Sequence, residues 1–90
     1  MTCKEGGTCE LSCRVEGYPL PTVQWYKDQN CVDDVPDYII TYNNGEAKLK
    51  FEQVFLEDQS EYTCKATNSV GTTETTAYFT VDRKFIFSFT

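Results

Sequence analysis

Five cysteines, Cys3, Cys9, Cys13, Cys31 and Cys64, lie in a chain of 90 residues that contains no histidine. Cysteine can act as a nucleophile when a base takes its proton, or hold zinc as a thiolate. The chain offers no imidazole as that base. It also lacks a C-x-x-C pair, so zinc would need thiolates scattered along the sequence. The acidic pairs Asp33-Asp34 and Glu57-Asp58 raise two other chemistries, calcium binding and paired-carboxylate glycoside cleavage. The first pair sits in an irregular stretch without ligand periodicity, and the second in a polar corner between strands. Solvated loop charge accounts for both. No catalytic residue, cofactor site or metal site is expected, and the chain reads as a binding or structural module.

The elements around these residues are strands. Apolar and polar side chains alternate with a period of two, and turn residues interrupt every eight to twelve positions. In residues 8–15, Cys9, Leu11, Cys13 and Val15 face one way and Thr8, Glu10, Ser12 and Arg14 the other. Gly17, Pro19 and Pro21 then break the ladder. Residues 22–27 resume it with Val23 and Trp25 on one face. Residues 28–37 are acidic and irregular, with one short edge segment expected around Cys31-Val32.

Residues 38–42 place Tyr38, Ile40 and Tyr42 together, and Asn43-Asn44-Gly45 is a strong hairpin signal. Residues 47–53 turn Ala47, Leu49 and Phe51 inward, with Val54 continuing the contact at the corner. Residues 61–67 do the same with Tyr62, Cys64 and Ala66. A tight loop at Asn68-Ser69-Val70-Gly71 is expected to use Gly71 in the left-handed region. Residues 72–81 close the sheet with Thr75, Ala77, Phe79 and Val81 on one face.

Length allows one small domain, expected over residues 1–82, with residues 83–90 an apolar tail. Six Tyr, six Phe and one Trp exclude a disordered chain. The net charge of −6 leaves no basic stripe for nucleic acid and disfavours an anionic membrane surface. Met1 to Gly7 lacks the apolar run of a secretion signal, and no stretch approaches the ~20 apolar residues of a membrane span.

Trp25 follows Cys13 by twelve positions and precedes Cys64 by thirty-nine, and Tyr62 lies two before Cys64 and four after Asp58. This spacing is that of a two-sheet sandwich with a tyrosine corner. The segments Cys13-Arg14-Val15-Glu16-Gly17-Tyr18-Pro19 and Val23-Gln24-Trp25-Tyr26-Lys27-Asp28 resemble I-set immunoglobulin domains of intracellular muscle proteins. So do Asp58-Gln59-Ser60-Glu61-Tyr62-Thr63-Cys64 and Lys65-Ala66-Thr67-Asn68-Ser69-Val70-Gly71. Titin and the telokin-type domain of myosin light-chain kinase are the family members the pattern suggests.

The resemblance implies an all-β immunoglobulin-like sandwich (I-set) with Cys13, Trp25, Leu49, Asp58, Tyr62 and Cys64 as structural core residues. Cys13 and Cys64 would face each other across the sheets. In a cytoplasmic protein they would remain reduced thiols, the expectation preferred here, with Cys9 a core filler and Cys3 and Cys31 exposed. Two departures stand out: strand A is largely missing, since almost nothing precedes Glu5, and an apolar tail follows the last strand.

That tail, with Phe85, Phe87 and Phe89 alternating, has three readings: a linker or variant ending, a fold-back into the place of strand A, or pairing with another molecule. The function implied is mechanical and scaffolding, in a sarcomeric or cytoskeletal titin-like array. Its partners would be proteins, including neighbouring domains, and a dimer through the tail is one option. The parent chain could carry a kinase domain elsewhere. The competing class is an extracellular adhesion or receptor domain, which would need oxidised cysteines. The absence of any Asn-x-Ser/Thr sequon and the odd cysteine count favour the cytoplasmic reading.

Overall fold

Alternating strands can bury only one face, so they must stack in two layers with their apolar faces together. The computed structural model describes residues 2–82. Its strands are β1 (Thr2–Lys4), β2 (Cys9–Arg14), β3 (Thr22–Lys27), β4 (Asn30–Cys31), β5 (Tyr38–Asn43), β6 (Glu46–Phe51), β7 (Ser60–Thr67) and β8 (Thr72–Asp82). A single 3-10 turn, Leu56–Asp58, joins β6 to β7. One sheet runs β1-β8-β7-β3-β4 and the other β2-β6-β5. Every neighbouring pair is antiparallel except β1 and β8, which are parallel.

Register follows the hydrophobic pattern, because a slip of one residue would turn each core side chain to solvent. Leu11 and Ile40 both lie opposite Leu49, and Trp25 lies opposite Cys64. The β5–β6 hairpin is set by Asn44 and Gly45 at φ 52° and 78°. Those angles suit the two-residue turn whose twist matches the strands. A Cβ at Gly45 would also come 2.8 Å from the carbonyl oxygen of Val15, so both backbone angle and space demand glycine there.

The core is densest where four aromatic rings meet. Phe51 stacks on Phe79 at 4.8 Å between ring centres, and Tyr62 meets both edge-on at 5.5 and 5.8 Å. Tyr38 closes the group, 5.3 Å from Phe51. Leu49 and Val54 are completely buried beside them. Each such side chain contributes roughly 1.5–3 kcal/mol by leaving water.

Two expectations need correction. Thr75 and Ala77 are exposed, although Phe79 and Val81 on the same face of β8 are buried. Among the described residues no strand lies on the outer edge of β2, so nothing covers the first half of β8 from that side. Gly71 is not left-handed: the loop is closed by the Asn68 side chain, whose Oδ1 accepts from the N–H groups of Val70 and Gly71. Strand A is largely missing, as expected, and what precedes Glu5 is a short strand. Three residues of β1 pair with β8, Thr2 with Thr80 through Lys4 with Asp82. The expectations for Phe85, Phe87 and Phe89 lie outside the described residues.

Candidate functional site

The six residues singled out in the sequence occupy the interior and one corner. Trp25, Leu49, Tyr62 and Cys64 are buried. The Tyr62 hydroxyl donates to the carbonyl of Asp58 at 2.7 Å, and Oδ2 of Asp58 accepts the N–H of Phe55 at 2.8 Å. These two bonds pin the 3-10 turn to β7. Burial pushes the Tyr62 hydroxyl's pKa far above the ordinary tyrosine value, helped by the Tyr38 hydroxyl and then by the Asp58 and Asp28 carboxylates. Trp25 Nε1 is buried without an acceptor among the described residues.

The cysteines depart from the expectation of reduced thiols. Cys13 and Cys64 form a disulfide across the two sheets, with Cα atoms 7.2 Å apart. Cys3 and Cys9 form a second, so Cys9 is not a simple core filler and Cys3 is half-buried rather than exposed. It joins β1 of one sheet to β2 of the other. Cys31 remains a free, exposed thiol. The sequence reading missed the 3–9 pair because β1 was not foreseen as a strand.

The loop carboxylates are occupied in holding backbone. Oδ1 of Asp33 accepts the N–H of Trp25 at 2.9 Å. Asp28, itself at φ 53°, accepts from the Glu61 N–H, and its carboxyl is held below its usual pKa by the Ser60 hydroxyl first and that N–H second. On the outer face of β6, Lys48 reaches Glu46 at 3.0 Å and Glu10 at 3.6 Å. Glu46 and then Glu10 raise its pKa. These are structural tasks for the backbone and the surface, and none aims two titratable groups at a common reacting atom.

What the geometry does offer is surface. At the end where β2 finishes and β8 begins, Tyr18 and Val70 are 92% and 83% exposed, with Leu20 beside them in sequence. The loops carrying them are braced together, since Asn68 Nδ2 donates to the carbonyl of Pro19 at 2.9 Å. Below this end a groove of about 240 Å³ opens between residues 13–16 and residues 73–75, with Cys64 and Ala66 in its lining. At the opposite end, the β1–β8 ladder is fastened by Glu5 N–H to the Asp82 carbonyl, and Gln59 Oε1 accepts from the Val81 N–H.

Known proteins share this arrangement. Telokin of Meleagris gallopavo is 40% identical over 83 residues, which cover 91% of this chain and 54% of telokin. Vascular endothelial growth factor receptor 1 of Rattus norvegicus is 36% identical over 75 residues, or 83% of this chain and 6% of the receptor. Thus the chain spans about half of one relative and a small part of the other. The solved titin domains Z1Z2 in complex with telethonin superpose with a TM-score of 0.87 at 29% identity, over 93% of this chain and 44% of that one. Such a domain is non-catalytic. The immunoglobulin I-set domain family matches residues 1–81, and with the cross-sheet cysteine pair, the buried Trp25 and the Tyr62 corner in place, this chain is one of its members.

Proposed function

We propose that this domain is a load-bearing and protein-docking module of a sarcomeric or cytoskeletal protein related to titin and the telokin-type domain of myosin light-chain kinase. The observation that carries the reading is the parallel pairing of β1 with β8. Tension applied at the two ends draws Thr2 and Asp82 apart along the strand axis. In a parallel pair this loads the ladder bonds together, in shear, rather than one after another. The likeness to telokin and to titin domains supports the muscle setting, and the titin–telethonin complex supports docking of protein partners. A kinase domain elsewhere in the parent chain would be in keeping with that kinship.

Single-molecule stretching tests the mechanical role. Pulling from Thr2 and Asp82 should need several times the force of pulling across the strands, where the ladder unzips bond by bond. Equal forces in both directions would sink the proposal.

The extracellular receptor reading is favoured by one structural feature, the two disulfides, and by the receptor match. Thiol titration of protein isolated from its native compartment separates the two. Five thiols after unfolding supports the cytoplasmic setting; a single thiol, that of Cys31, supports the extracellular one.

A further inference from the structure

We propose that the outer edge of β5 takes up an extended, basic segment of a partner protein as an added strand, with one cationic side chain of that segment seated in the cavity at the Tyr38 end. The inference names a site and a partner chemistry for the docking role proposed above, and rests on that role.

Strand β5 is the margin of the three-stranded sheet. The Cys13–Cys64 bond stacks β2 over β7, and the Tyr42 hydroxyl, donating to the Pro21 carbonyl at 3.0 Å, brings β5 to the β3 side. It therefore lies on the side of the sandwich away from β1 and β8. The segments that flank it, residues 32–37 and the Asn44-Gly45 turn, are both described.

Register decides which backbone groups are open. The two-residue turn makes Asn43 and Glu46 a hydrogen-bonded pair, and such pairs recur at every second residue. Asn43, Thr41 and Ile39 thus direct their N–H and C=O groups to β6. Those of Ile40 and Tyr42 point outward, where they meet no partner among the described residues. The outward N–H of Tyr38 is already taken by the Val35 carbonyl, at 3.4 Å. Residues 38–43 contain no charge, proline or glycine that would discourage pairing. Two donors and two acceptors on Ile40 and Tyr42 therefore form a template for an added strand.

Charge selects the strand. The loop leading into β5 carries Asp33, Asp34 and Asp37, all exposed. A second copy of this chain would bring the same carboxylates to this edge, and like charges across a contact oppose it. At the Tyr38 end a cavity of about 370 Å³ has Tyr38, Phe51 and Phe55 among its walls. Asp37, Glu52, Glu57 and Asp58 also line it, against one cation, Lys27, whose ammonium is engaged by the Glu57 carbonyl. Lys48 and Lys50 alternate to the solvent face of β6, away from the buried Leu49 and Phe51.

A side chain with an aliphatic stem and a cationic head matches that cavity, the stem against the rings and the head among the carboxylates. The strand period agrees. In an added strand the residues opposite Tyr42, Ile40 and Tyr38 share one face, the face that Tyr38 turns toward the core. The residue opposite Tyr38 thus directs its side chain to the cavity.

Nuclear magnetic resonance titration of the full, isotope-labelled chain tests this with three synthetic heptapeptides. The first alternates threonine and valine and ends in arginine. The second ends in glutamate instead, and the third keeps the arginine but is N-methylated along its backbone. The arginine peptide should bind and slow amide exchange at Ile40 and Tyr42, while Ile39 and Thr41, already bonded to β6, keep their rates. The other two should bind about tenfold more weakly or not at all. Asp37→Asn with Glu57→Gln should weaken the arginine peptide by about tenfold and leave the thermal melt unchanged, because both side chains are exposed. An arginine peptide that fails to bind, or binds no better than the glutamate peptide, would overturn the proposal. Binding that slows exchange elsewhere but not at Ile40 and Tyr42 would overturn this site and leave the docking role standing. The load-bearing role is read separately, by stretching.

Discussion

The two halves of β8 are built on the same face of the same strand and yet belong to different environments. Phe79, stacked on Phe51 and edge-on to Tyr62, and Val81 are buried, whereas Thr75 and Ala77, at the same parity, face solvent. In the lower half Phe79 packs on Phe51 of β6 and Tyr62 of β7, with β1 paired along the strand's edge; beside the upper half no strand pairs with the outer side of β2 among the described residues. Burial in a sandwich is therefore a property of what lies opposite, and alternation in one strand cannot reveal it. The lower half holds the domain together, and the upper half is left exposed.

The sharpest way to break this contrast is to truncate both halves alike. Phe79→Ala should cost about 3–5 kcal/mol, because a stacked, fully buried ring leaves a cavity that rigid neighbours cannot fill. Thr75→Ala, four residues away, should change stability by less than about 0.5 kcal/mol. Urea denaturation of both variants measures the difference. Comparable losses would mean that the upper half is packed after all.

The two disulfides extend the comparison. In the chain-entropy account the Cys13–Cys64 bond, spanning 51 positions, restricts the unfolded chain by about 4 kcal/mol. The Cys3–Cys9 bond spans only 6 and should contribute about 2 kcal/mol. Cys3→Ala with Cys9→Ala should therefore lower stability less than Cys13→Ala with Cys64→Ala. It should also speed hydrogen exchange in β1 while leaving the N–H groups of β6 protected. Uniformly faster exchange would show that β1 is not a separately tethered element.

How much of this was legible in the sequence depended on range. The Asn44-Gly45 turn is set by two adjacent residues that tolerate positive φ, so the hairpin could be read directly. Cys13, Trp25, Tyr62 and Cys64 were legible through their fixed spacing. The Cys3–Cys9 bond was not, because it depends on β1 pairing with the far end of the chain. Nor was the exposure of Ala77, which depends on what lies opposite it in the other sheet. At the 68–71 loop, glycine was read as the decisive residue, but the Asn68 side chain closes the turn.

Tyr62 sharpens the account of the lower half through pH. Its folded pKa is raised well above the unfolded value near 10, so the folded state keeps a proton that the unfolded state loses. Stability should be unaffected below pH 10 and should fall above it, by about 1.4 kcal/mol per pH unit for this one proton. Tyr38, whose pKa burial also raises, steepens the fall. Tyr62→Phe should lose about 1–2 kcal/mol at neutral pH with its bond to the Asp58 carbonyl, and show a shallower alkaline slope. An unchanged slope would mean that Tyr62 ionises freely in the folded state.

The smallest expected effect lies at the exposed end, and it tests whether the upper half is ordered by its own bonds. Asn68 there donates to the Pro19 carbonyl and accepts from the N–H groups of Val70 and Gly71. Those contacts hold the two loops that present Tyr18 and Val70. Asn68→Ala removes all of them, but water can replace the partners at so open a site. The loss of stability should therefore be only about 1 kcal/mol. Order is more sensitive than stability here. Amide exchange at Val70 and Gly71 should rise in the variant while β7, ending at Thr67, keeps its protection. If Val70 and Gly71 exchanged no faster, the loop would owe its shape to the β7–β8 ladder alone, and the exposed end would be an extension of the core sheet.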